Sequence, residues 1–472
     1  VVRFAEIPDS ALPHDPWPHA PGRPDPTRRI GVSVILRPAS PDEQIAAQIA
    51  EIAATRPRER RLPSLAAFTR AYGAPREVVE RVTAFARRHR LDVRSVSPAR
   101  RAIQLSGTIS VLARAFRADL HNAEVGGGQY LCHSGPLSMP TELVPHVEGV
   151  LGFDNRPLSR PGVAVSRTAA ATPPRDAARH YNFPRGSGQG ETIAIVMLGG
   201  GFHAADLKAW FRRQRISPAP RVSVVPVTGR GNNPAPREAI RAFAATLGRK
   251  TAAPPTAAAP RLSPASAANL LWTLETTMDI ELAAAFAPRA HIVVYVTRDT
   301  QHGKFEAISR ILTDRRYTPS VISCSWSSRE DLLSPGSLRV LDSALRLAAL
   351  RGITVCCSSG DHGADVDDGP HVHFPASSPH VLACGGTHPG AGRNDERVWN
   401  EQVGSLPMSS GGGFSAVFPR PPWQESPLSG FQERGRGVPD VAAKADFTQG
   451  YGIVAGGMEM RMGGTSAATP LW

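Results

Sequence analysis

An α/β protein, with a parallel sheet covered by helices on both faces and a smaller α+β domain before it, is what three features of the sequence predict. The second part of the chain repeats short apolar, β-branched runs separated by helical segments: TIAIVML, RVSVVPV, HIVVYVT, SVISCSW, ITVCCSS and HVLACGG. Strands apolar on both faces belong in a parallel sheet with helices on each side. The first part alternates strand and helix signals more quickly. Between the two, residues 159–176 are small, Pro-containing and aperiodic, which reads as an exposed linker open to proteolysis. The expected division is residues 1–158, linker 159–176 and residues 177–472.

Taken in order, IGVSVIL (Ile30 to Leu36) predicts a strand, and the spacing of Val78, Val82 and Phe85 predicts a helix. LDVRSV and AIQLSG read as strands and ISVLARAF as a helix. In the second part DLKAWFRRQR is helical, and the Ala/Pro-rich stretch from Gly229 to Ser266 reads as a surface insertion. The five cysteines, Cys132, Cys324, Cys356, Cys357 and Cys384, form no CxxC pair, and four of them lie in strand-like runs as small apolar residues. Among 472 residues no run approaches the roughly 18 apolar residues of a membrane span. The formal charge of +13 comes mostly from arginine, since only Lys208, Lys250, Lys304 and Lys444 are lysines. These arginines are scattered and not interleaved with aromatics, which argues against a nucleic-acid surface.

The sharpest chemical signal is GGTSAATP at Gly463–Pro470, a glycine turn that delivers Ser466 to a helix entrance. Nearby amides there favour a reactive oxygen. A turn merely capped by Thr465 or Ser466 is the plain alternative. Subtilisin-like proteases share this motif, but their His-Gly-Thr segment is absent. Instead, Glu275 and Asp279 stand four residues apart in LWTLETTMDIELAAAF, on one helix face and about 5–6 Å apart. Like charges so close resist double ionisation, so one holds a proton while the other acts as base. A solvated acidic face is the ordinary reading of such a pair, but the apolar neighbours Leu274, Met278, Ile280 and Leu282 point to burial. Asp361, in SSGDHG just beyond a strand, is placed to face a site. The nearby Asp361, His362, Asp365, Asp367, Asp368, His371 and His373 match no metal-ligand spacing.

Together with ILRP, AYGAP, IQLSGT, ARAFRADLH, QYLCH and VEGVLGFDNRP in the first part, these segments make the chain resemble the sedolisin family of serine-carboxyl peptidases, kumamolisin-like members above all. YNFP, SCSWSS, FPASSPHVLACGGT, SSGGGFS and VPDVAAKAD extend the resemblance through the second part. It implies a subtilisin-like catalytic fold behind a ferredoxin-like propeptide that inhibits it and is removed by self-cleavage. By matching motif, Ser466 is the nucleophile, Glu275 the base, Asp279 its orienting partner and Asp361 the oxyanion stabiliser. Ser325, Trp326, Ser410, Gly411, Gly412 and Gly413 would flank an extended peptide substrate.

The resemblance further implies acidic working pH, secretion, a monomer, protein or peptide substrates, and no nucleic-acid or membrane partner. Met197 stands where kumamolisin-like relatives often carry a Glu behind the catalytic Glu. The chain given ends at Trp472, six residues after Ser466, whereas the family's calcium-binding loops lie farther on. The expectation is therefore a truncated catalytic domain with a loose Ser466 turn, weak activity and its calcium site beyond Trp472. A catalytically silent peptide-binding protein on the same scaffold is the alternative.

Overall fold

The computed structural model describes every residue except 1, 13–16, 18, 57–58, 162–164, 167–170, 185, 247–261, 365–369, 391–394 and 404–405. Two compact units result. One comprises Val1–Leu158 with Asp299–Thr318 and Asp331–Ile353; the other comprises Ser159–Arg298, Pro319–Glu330 and Thr354–Trp472.

In the first unit four antiparallel strands lie in the order Asp92–Ser97, Ala102–Thr108, Arg29–Leu36, Val147–Leu151. With intervening helices this is the ferredoxin-like strand–helix–strand–strand–helix–strand pattern. Val78, Val82 and Phe85 form the apolar stripe of the Arg76–Arg88 helix and pack on Val32, Val34, Ile103 and Leu105. Leu112 and Phe116, from the Ile109–Phe116 helix, complete that core. Two helices from the middle of the chain, Gln301–Leu312 and Pro335–Leu350, also contact this part of the unit. The Ser33 hydroxyl donates to Glu306 (3.1 Å), and buried Arg101 pairs with Glu148 while donating to the Ser343 hydroxyl (2.9 Å).

The second unit is built on the expected parallel sheet, in the order Arg221–Pro226, His291–Val296, Thr192–Met197, Val321–Cys324, Thr354–Ser358, Leu382–Pro389. Val441–Lys444 adds in parallel to the last strand, and Glu396–Val398 adds antiparallel. Chain direction along the sheet reverses at Thr192–Met197, so the carboxyl ends on either side of it open a crevice. The predicted helix Ala204–Arg213 covers this sheet through Leu207, Trp210 and Phe211.

The long helix Pro264–Phe286 starts at Ser263, whose side chain accepts from the Ser266 amide, with Pro264 in the first turn. It is buried on nearly all sides from Leu270 to Ala284. Its threonines tolerate this because Thr276 and Thr277 donate back to the Trp272 and Thr273 carbonyls (2.6 and 2.8 Å). Gly200, at φ +62°, packs so closely on this helix that a Cβ would lie 2.4 Å from the Trp272 carbonyl carbon. The stretch read as a surface insertion is only partly one. Arg237–Thr246 is a helix that buries Ile240, Phe243 and Ala244 against the long helix, while residues 247–261 lie outside the described set.

Candidate active site

Ser466, Glu275, Asp279 and Asp361 converge at the carboxyl ends of the parallel strands, each at most 4% exposed. Glu275 and Asp279 share the inner face of the long helix, so the solvated-face reading of this pair is overturned. Burial drives the Glu275 pKa well above the ordinary carboxylate range, and the charge of Asp279 adds to the shift. Asp279 is likewise raised, chiefly by burial. None of their four carboxylate oxygens completes a hydrogen bond with the described residues. The hydroxyls of Ser466 and Ser325 face Glu275 and Asp279 closely enough to pull the two pKa values partly back. In the resting arrangement, however, each hydroxyl donates to the other residue's backbone carbonyl, Ser466 at 3.2 Å and Ser325 at 3.3 Å. A rotation about one side-chain bond of Ser466 would turn its proton toward Glu275.

Asp361 follows the Thr354–Ser358 strand. Its Oδ1 accepts from both the amide (2.8 Å) and the hydroxyl (2.7 Å) of Thr465. Oδ2 is buried with no hydrogen-bond partner among the described residues. Burial, opposed by the Thr465 bonds, lifts the pKa to about 6. The neutral acid therefore carries its proton on Oδ2, since Oδ1 is occupied as an acceptor. A small cavity lined by Ser327, Asp361, His362, His373 and Ser466 adjoins this oxygen.

The expected loose turn at Ser466 is not found. Gly464 donates to the Ala445 carbonyl (2.7 Å), Gly360 donates to the Thr465 hydroxyl (3.2 Å), and Thr469 donates to the Thr465 carbonyl (2.8 Å). Ala467, Ala468 and Leu471 are buried against the long helix. These ties to upstream segments hold the turn.

Of the expected substrate contacts, Ser325 lies in the catalytic cluster itself. Trp326 turns its indole away from the crevice and donates to the Val196 carbonyl (3.0 Å) beside the buried Met197, so the site is closed there without a carboxyl group. Its backbone is what meets a peptide: Trp326 and Ser327 pair antiparallel with Pro161 and Arg160 of the linker. Ser410 accepts from the Gly386 amide (2.9 Å), and Gly411 donates to the Gly360 carbonyl (2.7 Å), next to Asp361. A Cβ on Gly411 would lie 2.1 Å from the Ser359 carbonyl oxygen, which explains the glycine. Gly412 and Gly413 run beside Val438.

Sequence reasoning missed the anchoring role of Thr465, read only as a possible cap, and weighed the buried His373 only as a metal ligand, whereas its Nδ1 meets the Ser327 hydroxyl at 2.8 Å. It also passed over Glu281, a third buried carboxyl on the long helix, which accepts from the Val454 amide (3.0 Å). Burial raises the Glu281 pKa above its ordinary 4.5. Its stabilisation is thus full below that value and is lost as pH rises through the folded value. Glu281→Gln should gain in melting temperature relative to the parent as pH climbs from acid to neutral; a constant difference would contradict the assignment. Asp365, Asp367 and Asp368 lie outside the described residues. Among those described, no group of three or more His, Cys, Asp or Glu is arranged to hold a metal ion.

The chain resembles known proteins over most of its length. Residues 19–156 match the family described as "Pro-kumamolisin, activation domain", and residues 273–471 match the subtilase family. Kumamolisin of Bacillus sp. strain MN-32 is 36% identical over 473 residues, covering 94% of this chain and 79% of its own length. The chain belongs to the sedolisin family. It is a serine peptidase proenzyme with an N-terminal activation domain. Tripeptidyl-peptidase sed5 of Aspergillus fumigatus is 26% identical, covering 98% of this chain and 83% of that sedolisin relative. The solved Pseudomonas sedolisin complexed with pseudo-iodotyrostatin aligns with a TM-score of 0.50 at 22% identity, over 65% of this chain and 79% of that one. That likeness bears on the fold alone.

Proposed function

We propose that this sedolisin-family proenzyme hydrolyses peptide bonds in acid through Ser466, Glu275 and Asp279, with Asp361 stabilising the oxyanion. The observation that carries the reading is the buried Glu275–Asp279 pair facing the Ser466 hydroxyl. In the first step Ser466 Oγ attacks the substrate carbonyl carbon and its proton passes to Glu275. Glu275 accepts it in the state of the pair in which Asp279 holds the proton and Glu275 is ionised. Asp279 holds and polarises Glu275. The Asp361 Oδ2 proton meets the oxyanion, which requires the neutral acid. Glu275 then returns its proton to the leaving amine, and a water deacylates Ser466 by the same route. Assay of peptide cleavage across acid and neutral pH tests this; cleavage that rises through neutrality would contradict it.

The activation domain, residues 1–158, is read as an intramolecular inhibitor, with 159–176 as the processing linker and 177–472 as the catalytic part. Arg160–Pro161 pairs with Trp326–Ser327, and Val165–Ser166 pairs with Met462 and Arg461, just before the Ser466 turn. Residues 162–164 and 167–170 lie outside the described set. The first cut is expected within the linker, residues 159–176, whose paired stretches lie beside Ser325 and just before the Ser466 turn in strand register. N-terminal sequencing after acid treatment should find its new end there. The same end appearing in Ser466→Ala without added protease would show that the cut is not autocatalytic. Secretion and a monomeric state belong to the same proposal on family resemblance; no described helix is long and apolar enough to cross a membrane.

A further inference from the structure

The chemistry described above leaves one buried carboxylate next to the peptide-pairing strand unexplained. Glu330 directly follows Trp326–Arg329, is 3% exposed, and accepts from the Ser415 hydroxyl (2.8 and 3.1 Å) and the Ala416 amide (2.7 Å). Ser415 is part of the Gly413–Pro419 strand, which continues the Gly411–Gly413 segment beside Asp361. The pairing of that strand with Gly435–Val438 is interrupted between Phe414 and Pro419, where the chain wraps around these contacts. The Ser415 hydroxyl in turn accepts from the Val417 and Phe418 amides (3.1 and 2.9 Å). The Glu330 amide donates to the Val372 carbonyl (3.1 Å), beside the His373–Phe374 strand that pairs with Ser328 and Arg329.

We infer that Glu330 is a positioning residue that fixes the separation of the two backbone walls of the peptide cleft, Trp326–Arg329 on one side and Gly411–Ser415 on the other. The inference rests on the proposed peptidase reading and deepens it. A carboxylate is suited to this because it accepts a main-chain and a side-chain donor at once, across two strands that share no ladder of their own. Without it the buried Ser415 hydroxyl would lose its acceptor. An extended substrate needs both walls in register, whereas the side chains of Ser466 and Asp361 take their bonds from Ser325 and Thr465, outside the Glu330 contacts. Losing Glu330 should therefore weaken the hold on long peptides more than it slows the chemistry.

The test compares the acid-treated full chain with Glu330→Ala, Glu330→Gln and Ser415→Ala on two substrates: a peptide long enough to contact both walls and a small activated ester. Burial raises the Glu330 pKa, so glutamine is a fair mimic of the acid form. For Glu330→Ala, KM for the long peptide should rise about 10- to 100-fold, with kcat on the ester near that of the parent. Glu330→Gln should restore most of the loss. Ser415→Ala should show a smaller loss of the same kind, and combining it with Glu330→Ala should add little. If Glu330→Ala does not fold, Ser415→Ala alone decides. An unchanged KM, or an equal fall on both substrates, would overturn the clamp. A parent chain that cleaves neither substrate would overturn the peptidase reading itself.

Discussion

Glu275→Ala and Ser466→Ala should each lower kcat on a peptide substrate by about 10⁴- to 10⁶-fold, and the double variant should be no worse than either alone. The magnitude follows from the two groups acting as one unit. Ser466 is a poor nucleophile while its proton has nowhere to go, and Glu275 has no other function in the reaction. The more telling variant is Glu275→Gln, which keeps the shape and removes the proton acceptor. The parent carboxyl, raised by burial and by Asp279, stabilises the fold fully below the ordinary 4.5 and loses that contribution as pH rises through its folded value. Glutamine suffers no such loss, so Glu275→Gln should be inactive yet at least as heat-stable as the parent at neutral pH. Calorimetry beside the assay separates the two effects. Activity within tenfold of the parent would remove Glu275 from the mechanism.

The second large effect belongs to Asp361. Its pKa of about 6 means that the oxyanion proton is present in acid and leaves as pH rises through that value, so kcat should fall above it. Asp361→Ala should cost about 10²- to 10³-fold in acid, as for loss of one oxyanion donor elsewhere, and less above pH 6, where the parent has lost the proton too. Asp361→Asn should retain much more, because its amide can donate from the Oδ2 position while its oxygen accepts from Thr465. It should also lose the fall near pH 6, leaving only the limits set by the carboxyl pair. The same substitution alters stability: the carboxyl's contribution is full below 3.8 and lost as pH rises through about 6, a loss of about 3 kcal/mol by neutral pH that asparagine avoids. A pH profile of Asp361→Asn that superimposes on the parent's would place the limiting titration elsewhere.

Much of this was legible in the residues themselves. The six apolar runs from TIAIVML to HVLACGG became six strands of one parallel sheet because burial on both faces leaves a plain signal. The GGTS turn and the Glu275/Asp279 spacing brought out the candidate site because their chemistry is local in sequence. What escaped was non-local or short. Tyr451–Ala455 and Met458–Met462 form a hairpin around Gly456 and Gly457, both at positive φ, but its strands are brief and one is broken by a glycine. The Arg237–Thr246 helix was masked by the Ala/Pro-rich stretch around it. The firmness of the Ser466 turn depends on Asp361 and Ala445, far off in sequence, so counting the residues after Ser466 could not reveal it.

The central claim is that the Ser466 hydroxyl is activated by the buried carboxyl pair. Its most direct test is to mix the acid-treated protein with an activated peptide ester at about pH 4, quench, and map the acylated residue by mass spectrometry. The account predicts an acyl group on Ser466, formed rapidly by the parent and lost on the same timescale in Glu275→Gln. An adduct on another residue, or equally fast acylation of Ser466 in Glu275→Gln, would contradict it.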